Sequence, residues 1–485
     1  MLFDYDKTSA DSILQYAKQL EGKTFLDIEN EYRIYHMIYD KKPLTKKTKS
    51  KGQLGNFLEK YFFGYKPNSN QEADFKSAGV ELKQTCIDMK KNGEYTAGER
   101  LSITNISYKE PVEHDFYKSH VWEKIRLILL VHYLRDKTIP QLLYKIMFVN
   151  LFTPPADDLS IIIEDYKKII GKIEAGKAHE ISESDTLYLG ACTKGSTAAK
   201  SLRPQYYGEQ IPAKKRNFCF KRNYMDYVLH SYVLRDAVPY EKIITNNESL
   251  KTNTFEDIVI EKISQYTGMT DKQLCMLFDR EYNNNKAQWI DLTYRMLGIK
   301  GNHAEEFVKA NIVVKAIRLE ENGKMRESIS FPSFNFIDLA SQKWESSDIY
   351  KYFSETKFLF TIYRKSGHEY ILKGATLWNM PTADLDGPVQ KGWKTVQHII
   401  KKGVQFTINS NGTISNNLPG KHDNPIIHIR PHATKSAYRL KNGVIRGNVE
   451  RDANPLPDGQ WMTTQSFWIN NSYILDQLPK NLIHD

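Results

Sequence analysis

The sequence predicts an α/β chain, a mixed sheet flanked by helices, in which a second domain repeats the first in outline. Three observations lead there. At 485 residues the chain exceeds what one core usually covers, so two domains are the default. Val80, Leu82 and Gln84 alternate with Glu81, Lys83 and Thr85, the period of a half-buried strand, amid segments of helical spacing. Several segments of the first half also reappear in the same order in the second.

The strand around Glu81 is the stretch that organises the rest. Glu81 and Lys83, two apart, point to one face. Asp74 precedes Gly79, where a turn can fold the chain back and set its carboxylate beside that of Glu81. Hard cations such as Mg²⁺ take oxygen ligands and keep several waters, so this pair can hold one or two metals. Lys83 would then steady a scissile phosphate or an attacking water. That is the chemistry of a metal-dependent phosphodiesterase. By itself an Asp followed by Glu-x-Lys arises by chance in lysine-rich chains, where such charges are usually solvated; the neighbouring segments give it weight.

Composition is globular, 40% hydrophobic, 26% charged and 12% aromatic. A formal charge of +10 and a pI near 9.0 favour a polyanionic partner. Cys86, Cys192, Cys219 and Cys275 are scattered without a CxxC pair, which argues against a zinc ribbon or a disulfide framework and suits a reducing compartment. The start MLFDYDKTSADS lacks a basic, apolar-cored leader, and no run of about 18 apolar residues occurs. The expected location is the cytoplasm, with no membrane partner.

Taken in order, Ser9 to Leu20 have helical spacing after a capping start. Lys41, Lys42, Lys46, Lys47, Lys49 and Lys51 then form a basic run. It leads into KGQLGNFLEKYFFG, a short amphipathic helix carrying Glu59. After the central strand, GERLSITNISY reads as its hairpin partner. The apolar stretch Ile125 to Leu134 reads as a buried strand with Lys124 at its entrance, a second phosphate contact. Residues 159–176 form a helix. YLGACTKGSTAAKSLRPQYYG is rich in Gly, Ser and basic residues, but Ser196 follows Gly195 where a phosphate-binding loop needs Lys, so no nucleotide cofactor is expected. As a basic loop it suits a DNA groove, with Lys194 and Arg203 reaching bases or phosphates. Lys214, Lys215, Arg216, Lys221 and Arg222 surround a strand-to-helix junction. The polar stretch 236–254 separates domains 1–235 and 255–485.

The repeat sets NKAQWIDLTYRMLG against KGQLGNFLEKYFFG, and EFVKANIVVKAI against DFKSAGVELKQT. Glu306 then falls opposite Asp74, Val313 opposite Glu81, Lys315 opposite Lys83 and Thr293 opposite Glu59. RNFCFKRNYMDYVL is echoed by QSFWINNSYILDQL, and YLGACTKG by IIHIRPHA. Having lost acids, the second copy is expected to bind no catalytic metal, yet Arg430, His432, Lys435 and Arg439 keep a basic loop for DNA. Pro431 argues against a helical His428–His432 metal pair, which leaves both as polar loop residues.

KGQLGNFLE, the DFKSAGVELK run, SHVWEKI with Lys124, and the segments YLGACTKG and RNFCFKRNY together resemble the mismatch-repair endonuclease MutH. The two-copy layout is similar to the MutH-like type II restriction endonucleases that cut at GATC. The resemblance implies the restriction-endonuclease α/β core, here in two MutH-like domains. It implies an active site of Glu59, Asp74, Glu81 and Lys83 assisted by Lys124, with Glu59, Asp74 and Glu81 as ligands of Mg²⁺. It also implies base reading by the loop around Lys194, further DNA contacts from Arg203, Lys214, Arg216, Lys221, Arg430 and His432, and a bacterial cytoplasmic setting. One departure stands out: MutH-type proteins carry arginine where this chain has Cys192, while the second copy keeps Arg430. The expected activity is Mg²⁺-dependent cutting of double-stranded DNA at a short site. The second copy would bind another site as an allosteric effector, with DNA-dependent pairing of chains. The alternatives are a repair-type nicking enzyme and a catalytically silent DNA-binding regulator.

Overall fold

Strand β1 (Glu81–Met89) is followed by β2 (Tyr95–Ala97), β3 (Leu101–Asn105), β4 (Ile128–Leu134) and β5 (Lys145–Phe152) in a computed structural model that describes residues 4–39, 54–65, 72–194, 201–209, 211–236, 240–283 and 285–483. The lysine run from Lys41 to Lys51 and the Gly195–Ser196 pair lie outside these residues. β1 runs parallel to β4, with Lys83 opposite Leu130, while β2 and β5 flank them antiparallel, giving a mixed sheet of order β2-β1-β4-β5. Ile128 to Val131 are completely buried, as an apolar run covered on both faces must be. Helices Ala10–Ala17, Phe25–Tyr39 and Phe57–Tyr61 contribute Ile13, Phe25 and Leu58 to a core that also holds Val80, Leu82, Leu129 and Val149.

Two expectations change here. The hairpin partner of β1 is the short β2, reached by a tight turn in which Gly93 donates to the Lys90 carbonyl. GERLSITNISY instead supplies β3, which pairs with a strand far along the chain, because alternation marks a strand without naming its partner. The stretch from Ile125 divides as well. Ser119 caps a helix, His120–Ile125, accepting from the Trp122 N–H at 3.2 Å, and the strand begins only at Ile128, so Lys124 sits in the last turn of a helix.

Later come β6 (Leu189–Thr193), β7 (Leu202–Arg203), β8 (Ala213–Lys214) and β9 (Arg216–Phe220). β9 lies between β3 and β6 in an antiparallel sheet, and β7 and β8 form a small hairpin. The 19-residue helix Ala156–Glu174 is tied to β6 by buried Asp165, whose carboxylate accepts the N–H groups of Leu187, Tyr188 and Leu189 at 2.7, 2.6 and 2.9 Å.

The chain folds as two compact units, Met1–Thr254 with Ala304–Asn311, and Phe255–His303 with Ile312–Asp485. In the second unit β10 (Ile312–Leu319), β11 (Ile329–Phe334), β12 (Lys357–Ser366) and β13 (Glu369–Trp378) form the framework. β10 is parallel to β12 and β12 antiparallel to β13. A separate sheet places strand Gln465–Ile469 between β11 and Ile427–Pro431, the pattern of β9 between β3 and β6. No helix among the described residues is long and apolar enough to cross a membrane.

Helix Glu305–Ala310 belongs to the first unit, although in sequence it stands between segments of the second. Glu306 accepts from the Ile243 and Ile244 N–H groups at 3.0 and 2.9 Å and so does not mirror Asp74 beside Lys315. Lys309 donates to buried Asp158 at 2.5 Å and to Glu305 at 2.7 Å. Removing one member of a buried ion pair strands the other charge. Lys309→Met is therefore expected to destabilise the first unit by about 3 kcal/mol in denaturant melts. A chain ended at Thr254 should show the same defect, and wild-type stability in both would refute the role given to this segment.

Candidate active site

Asp74 and Glu81 meet because the chain between them closes a tight turn. Phe75 and Val80 exchange backbone hydrogen bonds of 2.9 and 3.3 Å, and Gly79 takes φ +64°, a left-handed conformation open to glycine at little strain. The Arg126 guanidinium lies against Gly79 where a Cβ would project, so a side chain here would have to displace that flexible end as well as adopt the left-handed backbone. Across the turn the Asp74 carboxylate accepts the Leu82 N–H at 2.9 Å, and the Asp74 N–H donates to Glu81 Oε2 at 3.2 Å. The carboxylates are thus fixed side by side by backbone groups.

Glu81 is only 2% exposed, and both its oxygens are held by ammonium groups. Lys83 Nζ is 2.8 Å from Oε1 and also donates to the Ile103 carbonyl at 3.1 Å. Lys124 Nζ is 2.9 Å from Oε2 and donates to the Glu72 carbonyl at 2.5 Å. Glu59, on helix Phe57–Tyr61, faces the same charges. Burial first, then Asp74 and Glu81, push its carboxyl up to about 7; burial and then Glu81 push Asp74 up to about 6. The five residues expected to form the site are therefore brought into one electrostatic group.

As the chain stands, among the described residues no three acidic, histidine or cysteine side chains gather closely enough to enclose a cation. The donors nevertheless suit a hard divalent ion. They are carboxylate oxygens, and after burial the mutual repulsion of the carboxylates contributes to the raised values of Glu59 and Asp74, a repulsion that a cation between them would relieve.

One residue of this group escaped the sequence reading. The Tyr65 hydroxyl is buried without a hydrogen-bond partner among the described residues, and after burial itself the charges of Asp74, Glu59 and Glu81 raise its pKa. Its only signal was its place six residues after Glu59, at the end of an aromatic run.

The expected DNA contacts divide. Lys194 follows β6 directly, and its ammonium is held below the usual value by desolvation and by the charges of Lys215 and Lys83. Arg203 and Lys214 are half-buried on the β7–β8 hairpin. Arg216 and Lys221 are not surface groups: they are 5% and 3% exposed and donate to the carbonyls of Ala191 and Thr186, both at 2.7 Å. Their charge supports the sheet instead of facing a groove, a role that a run of basic residues cannot reveal. In the second unit Arg430 is exposed over the Trp468 ring at 5.0 Å, and exposed His432 meets Ser466 Oγ at 3.0 Å. His428 is a buried strand residue bonded to Asn470 at 2.6 Å, not a loop residue.

A mixed sheet that delivers two carboxylates and a Glu-x-Lys lysine to one point defines an endonuclease-type phosphodiesterase centre. Comparison with known proteins specifies it. Residues 63–165 match the family model described as the DNA mismatch repair enzyme MutH. The type II restriction enzyme Sau3AI of Staphylococcus aureus is 33% identical across 95% of this chain and 96% of its own length. MutH proteins of Shigella boydii and Escherichia coli are 26% and 25% identical over 38% of this chain and 80% of theirs. The chain belongs to the MutH-like type II restriction endonucleases, enzymes that hydrolyse DNA.

Glu81→Ala is expected to abolish cleavage and, because it strands Lys83 and the buried Lys124, to lower stability by about 3 kcal/mol. Cutting by this variant at the wild-type rate would remove Glu81 from the site. The raised carboxyls set a pH dependence. Acids whose folded values lie above their unfolded ones favour the folded state at low pH, and that contribution is lost as pH rises towards 6 and 7. The melting temperature of the free protein should fall through this window, and less so in Glu59→Gln; an unchanged profile would contradict the assignment.

Proposed function

We propose that the enzyme cuts both strands of double-stranded DNA at GATC with Mg²⁺, and that its second unit is a pseudo-nuclease that binds another DNA site as effector. The observation that carries the catalytic half is the Glu81 carboxylate, fixed beside Asp74 and shared by two lysines. Glu59, Asp74 and Glu81 would hold the metal, which supplies charge for the phosphoryl oxygens and a more acidic water. Lys83 positions the attacking water as it turns from Glu81 towards the phosphate. Lys124, paired with Glu81 at 2.9 Å, would hold that carboxylate in place within the buried turn. Glu59, its carboxyl raised by burial and by Asp74 and Glu81, would be a further ligand or position a bound water.

The matching strand orders of the two units support the reading of a duplication. Cys192 pairs with the second residue of β9, Asn217, just as Arg430 pairs with Ser466. These arginine-bearing and arginine-lacking positions are therefore equivalent in register. Thr293, opposite Glu59 in the repeat, is completely buried and bonds Trp289 and Thr361, and Val313 stands for Glu81. The second unit thus lacks an acid at all three ligand positions, since Glu306, opposite Asp74 in the repeat, is built into the first unit. With one centre per chain, cutting both strands of a palindrome requires two chains to meet on DNA or one chain to nick, turn and nick again, and effector binding in the second unit would favour the pairing of chains. By reciprocity the effector should bind tighter when substrate is bound.

Incubation with Mg²⁺ and plasmids carrying one or several GATC sites, followed by end mapping, tests this reading. The expected result is double-strand breaks at GATC, formed faster on the several-site plasmid. Nicked circles alone would favour repair-type nicking, equal rates on both plasmids would remove the effector, and untouched plasmid would leave a binding protein.

A further inference from the structure

The second unit contains a cleft of about 430 Å³ lined in part by β10, Lys315 included. Four cations line it, Lys286, Lys315, Arg318 and Arg326, against two acids, Glu320 and Glu327. Neither acid serves Lys315. Glu327 lies 3.5 Å from Arg318, and Glu320 lies 3.8 Å from Lys365. Arg318 is itself braced over Trp289 and Tyr370, at 5.5 and 5.9 Å from their rings. The indole N–H groups of Trp289 and Trp468, which also line the cleft, have no acceptor among the described residues.

Lys315 is the anomaly. It is half-buried, and neither a hydrogen bond nor an ion pair is formed by its ammonium among the described residues. Desolvation, and then the Lys286 ammonium, hold its pKa below the usual lysine value. Lys83, its counterpart in the repeat, lies 2.8 Å from the Glu81 carboxylate. A desolvated cation beside another cation is a costly arrangement unless an anion arrives to complete it. With Val313 where β1 has its glutamate, the pocket has exchanged a carboxylate for a vacancy of negative charge.

We propose that this cleft binds a phosphodiester of effector DNA, with Lys315 and Lys286 on the phosphate oxygens and Arg318 and Arg326 beside them. The place where the first unit positions the phosphate it cuts has become, in the second, a place that grips a phosphate without cutting. This deepens the effector reading above and rests on it.

The test uses the full-length chain without divalent metal, titrated with a fluorescent GATC duplex while thermal midpoints are recorded with and without inorganic phosphate. Wild type should bind two duplexes. Lys315→Met should lose at least tenfold in affinity for the second, with a shallower salt dependence at that site. Without DNA the same variant should melt at or above the wild-type temperature, because it removes an uncompensated charge; a merely structural lysine would instead lower it. Lys286→Met, at a separate position on the wall, provides the same reading should Lys315→Met fold poorly. Two duplexes bound unchanged by both variants would overturn the proposal. A single duplex bound by wild type would overturn the effector reading itself, and phosphate protection lost in Lys315→Met would then assign the cleft to a free phosphate.

Discussion

The buried carboxylate of Glu81 is the group on which the first unit depends. A charge 2% exposed must be matched on every side, and here it is met by two ammonium groups and a backbone N–H. Each partner draws in a different part of the fold. Lys83 comes from the same strand, Lys124 from the helix that precedes β4, and the N–H from the turn at Gly79. Because those partners also bond the carbonyls of Ile103 and Glu72, one carboxylate organises the strand, the helix, the turn and the approach to β3. The arrangement proposed for catalysis is thus one that the fold already requires.

The same principle explains the contrast between the units. In the first, buried Asp158 meets Lys309 from a segment remote in sequence. The second leaves Lys315 without a counter-charge among the described residues, its ammonium held below the usual lysine value by desolvation and by Lys286. Catalysis needs both signs of charge at one point, whereas gripping DNA needs only one.

Much of the site was legible because it is local. Asp74, Gly79, Glu81 and Lys83 lie within ten residues, so strand periodicity and one glycine suffice to bring them together. Lys124 was singled out by its place before the apolar run, yet its helix was not, since SHVWEKI is too short for its period to stand out from the run that follows. Tyr65 carries no charge to attract notice, and its relevance lies in a buried hydroxyl that only packing exposes. Arg216 and Lys221 misled for the opposite reason: basic residues in a run look like a DNA surface, whereas two of them turn inward to backbone carbonyls.

By itself the sequence determined the α/β class, the pairing of a carboxylate turn with a Glu-x-Lys strand, and the order of segments that recur in the second half. These depend on periodicity and on contacts between residues near in the chain. Tertiary structure alone decided that β3 joins β9, that helix Glu305–Ala310 is built into the first unit, and that Lys315 is left without a counter-charge. Each of these depends on which distant groups share a buried volume, and desolvation there sets whether a charge is a surface ornament, a structural tie or a site.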